Sequence, residues 1–196
     1  MPRIAATLAA LVGAVFVLAA CDTPPRREAF PQLTYDYLPP IRLDVARIEI
    51  VDAYRAPVTD THVEQDFPTP PATAARQWAS DRLKAVGADG VARFIIEDAS
   101  VADVPLPRTT GLTGMLTQDQ SDRYDATLTV RLEVENRMGS HRGAITATAK
   151  RSDTAAEDMT LNQREKLWFD MTDQLMRQLN TELEAQINTH LREFLR

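Results

Sequence analysis

The sequence predicts an α+β domain: a four-stranded, mainly antiparallel sheet with two helices on one face, elements running β, α, β, β, β, α, and a long helix last. Three observations predict it. Tyr124, Ala126, Leu128, Val130, Leu132 and Val134 alternate with Arg123, Asp125, Thr127, Thr129, Arg131, Glu133 and Glu135, the pattern of a strand with one buried and one wet face, which favours antiparallel pairing. Thr160 and Gln163 form a capping-box signature ahead of Leu167, Met171, Leu175, Leu179, Leu183, Ile187, Leu191 and Leu195, apolar at every fourth position. Ala75, Trp78, Ala79, Leu83 and Val86 make one apolar helix face between the first two strands.

The chain opens with a positive Arg3 and an uncharged, alanine-rich run from Ile4 to Ala20. Residues 1–20 therefore read as a signal peptide. The run closes on Leu18-Ala19-Ala20-Cys21, which resembles the lipobox of bacterial lipoproteins. That resemblance implies cleavage after Ala20, a diacylglycerol on the Cys21 thiol, and a fatty acyl group such as palmitate on the new amino terminus. Two or more chains make a stable anchor, since each buried methylene contributes about 0.8 kcal/mol. Asp22 resembles the aspartate that retains lipoproteins in the inner membrane of enteric bacteria. The expectation is thus a periplasm-facing envelope protein, at the inner rather than the outer membrane. Residues 21–40 follow as a lipidated N-terminus and tether, because Pro24, Pro25, Pro31, Pro39 and Pro40 interrupt regular hydrogen bonding.

Residues 41–196 then form one domain. The first strand is expected over residues 41–54, where Ile41, Leu43 and Val45 share one parity and Ile48 and Ile50 the other. Such a switch implies a bulge near Ala46 and Arg47 or a strand buried on both faces. After a proline-marked loop, Thr69 is placed to cap a helix that admits Pro70 and Pro71 in its first turn, and Gly87 to end it. Residues 91–101 give the second strand, 123–135 the third and 144–151 the fourth, with a turn over 136–143. Ile145, Ala147 and Ala149 on the fourth strand's core parity are small enough to let a helix approach closely. That helix begins at Leu161. Its apolar stripe drifts by about 40° at each four-residue step, so the far turns, with Ile187, Leu191, Phe194 and Leu195, need a partner beyond a flat sheet. The loop over 103–122 folding back would supply one, and a second protein would supply another.

Composition excludes several classes. Loss of Arg3 with the signal leaves 21 Lys+Arg against 28 Asp+Glu, a mature net charge of −7, which disfavours nucleic acid as a partner. With Cys21 the only cysteine, neither a disulfide nor a thiolate site is available. His62, His141 and His190 lack metal-ligand spacing. His62-Val63-Glu64 with Asp66 reads as a solvated loop stretch, Ser140-His141 as turn neighbours, Gly87, Gly90, Gly111 and Gly114 as caps and turns, and Trp78 and Trp168 as core. No metal, cofactor or catalytic constellation is expected.

The order of elements, the domain's size and the lipobox make the chain similar to envelope lipoproteins such as the LptE family of lipopolysaccharide assembly and the auxiliary lipoproteins of ABC-type lipid transporters. The resemblance implies a non-enzymatic accessory role on an envelope transport or assembly complex. Leu106, Leu112, Met115 and Leu116, on a loop too long for an ordinary hairpin, and Ile187, Leu191, Phe194 and Leu195 are the expected contacts with a protein partner. The alternative is a carrier that binds a small molecule or lipid between sheet and long helix.

Overall fold

A computed structural model describes residues 29–57, 59, 61–107, 120–136 and 141–196; Cys21, Asp22, Leu112, Met115, Leu116 and the expected signal peptide lie outside them. In chain order the elements are β1 (Ile41–Leu43), β2 (Arg47–Asp52), α1 (Pro71–Arg82), β3 (Leu83–Ala85), β4 (Val91–Pro105), β5 (Gln120–Asn136), β6 (His141–Ala156) and α2 (Leu161–His190). Short 3-10 turns occupy Glu64–Asp66 and Arg192–Phe194. The α+β class holds. The main sheet has four strands in the order β2-β4-β5-β6, with β2 parallel to β4 and the other two pairs antiparallel.

The expected first strand is two strands in two sheets. β1 pairs in parallel with β3 and β2 with β4, while between them the Ala46 N–H bonds the Asp89 carbonyl at 3.0 Å. The parity switch therefore marks a change of sheet rather than a bulge or a doubly buried strand. The main sheet has register shifts in β4, between Ile96 and Asp98, and in β5, between Gln120 and Asp122; the first turns Ala99 and Val101 onto the same buried face as Phe94 and Ile96. Gly90, at φ 88°, makes the turn into β4, a conformation that side-chain-bearing residues rarely adopt.

α1 differs from its expected ends for local reasons. Pro70 holds the N-cap position and its carbonyl accepts from Ala74 N–H; the Thr69 carbonyl instead accepts the Thr172 hydroxyl at 3.0 Å. The helix stops at Arg82, short of Gly87, because Leu83–Ala85 exchange helical bonds for the ladder that β1 offers. Val86 is consequently exposed, whereas Ala75, Trp78, Ala79 and Leu83 are buried.

α2 carries the complete capping box, with Thr160 Oγ1 accepting from Gln163 N–H and the Gln163 side chain accepting from Thr160 N–H. Met171, Leu175, Leu179 and Leu183 are fully buried, and Ala147 and Ala149 of β6 lie in the same core. The drift of the stripe is resolved inside the molecule. Leu43 bridges Leu195, the Phe194 carbonyl accepts from Asp44 N–H at 2.8 Å, and a Cβ added to Gly143 would meet Leu191 at 2.5 Å. β1 and the start of β6 cover the far turns, so the loop does not need to.

A buried cation ties the layers together. Arg82, 2 % exposed, donates to the Pro39 carbonyl (2.8 Å), Asn180 Oδ1 (2.6 Å) and Glu184 Oε1 (2.7 Å), and Trp78 Nε1 shares the Asn180 oxygen at 2.9 Å. Such a cation is tolerated only because its donors are satisfied. The same contacts correct the expected tether. Residues 29–40 lie on the domain: Phe30 stacks on Phe169 (ring centroids 5.1 Å apart), Tyr35 is buried with its N–H on Asp81, and Arg82 holds Pro39. Any free leash ends near residue 29. The expected loop is likewise narrower than 103–122, since Asp103, Val104 and Pro105 belong to β4 and Gln120, Ser121 and Asp122 to β5.

Candidate functional site

Three places gather polar or apolar groups that the core does not need. The first surrounds Glu64. Residues 61–63 run beside the far part of β4, with Val63 N–H on the Val101 carbonyl and Asp103 N–H on the Thr61 carbonyl. This turns Glu64 inward to 2 % exposure, where its carboxylate accepts from Tyr54 Oη at 2.8 Å and Val101 N–H at 3.2 Å, with His62 Nδ1 3.6 Å away. The expected solvated reading of this stretch is wrong for Glu64, while Asp66 is exposed as expected. Burial and the Glu64 charge push the Tyr54 hydroxyl well above its ordinary range. The adjoining cavity of about 340 Å³ is lined by Asp52, Tyr54, Glu64, Thr73 and Arg76 among others. Arg76 forms an ion pair with Asp52, and the Tyr54 hydroxyl donates to Glu64. The cluster fastens the 61–66 segment to the sheet.

The second place lies at the root of the β4–β5 connection. Asp103 and Tyr124 are direct cross-strand partners, and Trp168 of α2 meets Tyr124 edge-on at 5.5 Å while stacking on Phe67 at 5.1 Å. Asp103 Oδ1, Tyr124 Oη and Trp168 Nε1 are all buried without a hydrogen-bond partner. Burial, reinforced by Asp122 and opposed by Arg164, raises the Asp103 carboxyl, and burial raises the Tyr124 hydroxyl. A sequence signal for Asp103 existed: it continues the buried parity of Ala99 and Val101. Glu64 had none, because an acid in a proline-rich loop looks solvated until the fold turns it inward.

The third place is the end of the sheet where that connection emerges. Leu106 is half-buried between exposed Pro105 and Pro107, and its N–H bonds the Ser121 carbonyl at 2.9 Å. Beside it Leu161, which begins α2, is 55 % exposed, and Arg164 reaches Asp122 at 3.5 Å. The other expected contact set is at the opposite end of α2. There Ile187, Leu191 and Phe194 are buried and Leu195 is half-buried, packed against β1 and the start of β6. Leu106 is therefore at the other end of α2 from these four, while Leu112, Met115 and Leu116 lie outside the described residues.

None of the four cavities lies between the main sheet and α2, where Leu128, Val130, Leu175 and Leu179 are fully buried; one of about 460 Å³ lies between α2, at Asn180, Glu184 and Ile187, and residues 38–42 leading into β1. Among the described residues no group of three or more His, Cys, Asp or Glu is placed to hold a metal ion. Among them, too, no helix is long and apolar enough to cross a membrane.

No family model and no curated protein matches the chain. Among solved structures it is similar to protein XCC0632 of Xanthomonas campestris, family model DUF330, at 11% identity and a TM-score of 0.30, over 84% of this chain and 96% of that one. Two structures of PelC dodecamers from Paraburkholderia phytofirmans align at 14% and 12% identity, with TM-scores of 0.24 and 0.21, each over 79% of this chain and 95% of the other. Likenesses this distant bring no family and no activity to the chain.

Proposed function

We propose that this chain is a lipid-anchored accessory protein of the bacterial envelope, held by Cys21, facing the periplasm, and docking on a transport or assembly complex without catalysis of its own. Asp22 favours the inner membrane. The single observation that carries the docking role is the β4–β5 hairpin. Its strands stay paired to Pro105 and Asp122, and residues 106–119 between the strands exceed what a turn requires. Connections of that length are commonly functional when they sit on a rigid scaffold, and this one contains Leu106, Leu112, Met115 and Leu116. The closed sheet–helix interface gives the carrier alternative no support.

Deletion of residues 106–117 tests the docking role. Residues 118–121 remain to link the paired Pro105 and Asp122, at the cost of the Leu106–Ser121 hydrogen bond and the terminal Gln120–Ala156 pair, so the domain keeps its far-ultraviolet circular dichroism with a somewhat lowered denaturant midpoint. Co-purification of partners from native membranes should be lost. Unchanged co-purification from a folded deletion variant contradicts docking through this hairpin.

A further inference from the structure

We infer that the domain stands end-on to a lipid surface, with the hairpin end that carries Leu106 and Leu161 towards the membrane and the carboxyl end of α2 away from it. The inference rests on the anchored reading and adds an orientation to it. Residues 30–43 climb α2 in step with that helix. Phe30 sits on Phe169, Arg82 joins Pro39 to Asn180 and Glu184, Arg42 accepts from Arg196 N–H, and Leu43 bridges Leu195. Followed backwards, the chain leaves the domain at the level of Phe169. At 1.5 Å per residue that level is about 12 Å from Leu161 but about 32 Å from His190.

The nine steps from Cys21 to Phe30 span at most about 30 Å when fully extended, and roughly 15–18 Å as a flexible coil. At its coil length so short a leash leaves the carboxyl end of α2 well above the surface, and only full extension, about 30–32 Å, would bring that end down. Lying flat on the side of α2 near the exit point would press Lys166, Asp170, Asp173 and Arg177 against the lipid, an unfavourable desolvation of four charged groups. The hairpin end offers Leu161, Leu106, Pro105 and Pro107, with the exposed Glu157 and Asp158 in the turn before α2. A docking partner would then be met at the membrane surface.

The test uses the full lipidated chain in vesicles of phosphatidylethanolamine and phosphatidylglycerol. Leu161→Cys and Thr189→Cys, both at exposed positions and about 42 Å apart along α2, are each labelled with a fluorophore and read against an acceptor on the lipid headgroups. End-on standing gives several-fold stronger quenching at position 161 than at 189. Equal or inverted quenching in protein that floats with the vesicles overturns the orientation and leaves the anchor intact. Protein that does not float, or a wild-type chain whose Cys21 takes the thiol-reactive label, overturns the anchor and the orientation together.

Discussion

Asp103 carries the sharpest electrostatic consequence at the scale of single residues. Burial and the neighbouring Asp122 raise its folded-state pKa above that of the unfolded chain, with Arg164 opposing, and Oδ1 lacks a partner. For a carboxyl shifted this way the fold favours the neutral form. Its contribution is fully present below the unfolded pKa and is lost as pH rises through the raised folded value. Asp103→Asn keeps the neutral shape at every pH. The variant should therefore match the wild type near pH 3 and exceed it in urea midpoint at pH 7, with the gap opening as pH rises. A gap that is constant with pH, or that closes as pH rises, contradicts a destabilising ionised Asp103. Residues are also where sequence reading fell furthest short. The inward turn of Glu64 and the fork of Arg82 onto three acceptors depend on elements far apart in the chain, and no local spacing records them.

At the scale of elements, patterns with a strict period were legible and patterns set by competition were not. The alternation in β5 and the capping box of α2 are local, and both elements form where their residues require. The end of α1 was not legible: helix bonds at Leu83–Ala85 compete with a ladder supplied by β1, some forty residues earlier. The drift of the α2 stripe was legible as a demand for a partner, but its identity was not, since β1 and the start of β6 meet it from opposite parts of the chain. Gly143 is the close point of that contact. A Cβ there would lie 2.5 Å from Leu191 and 2.9 Å from Phe194, two side chains buried against the core with little room to shift. Gly143→Val should cost about 1–3 kcal/mol of stability by overpacking, read as a lowered urea midpoint with an unchanged slope. A midpoint equal to the wild type contradicts the close packing of the last helical turns under β6.

On the scale of the whole molecule, the packing of residues 29–40 along α2 changes what the amino terminus does. A proline-marked stretch read as a spacer, because proline content signals only the lack of regular hydrogen bonds and says nothing of side-chain docking. Phe30, Tyr35 and Leu38 supply that docking, and the domain's reach from Cys21 contracts from about 60 Å for a fully extended 22–40 segment to about 30 Å. On the proposed anchor, a short leash, the hairpin end turned to the lipid and a closed interface between main sheet and α2 would together make a module that works by contact close to the membrane. All of it depends on the covalent state of one residue. Mass spectrometry of the amino-terminal peptide, from protein extracted from the membranes of a host that processes lipoproteins, measures that state directly. Anchoring predicts a mature chain that begins at Cys21 and carries diacylglycerol on the thiol. A chain that begins elsewhere, or an unmodified Cys21, would contradict it.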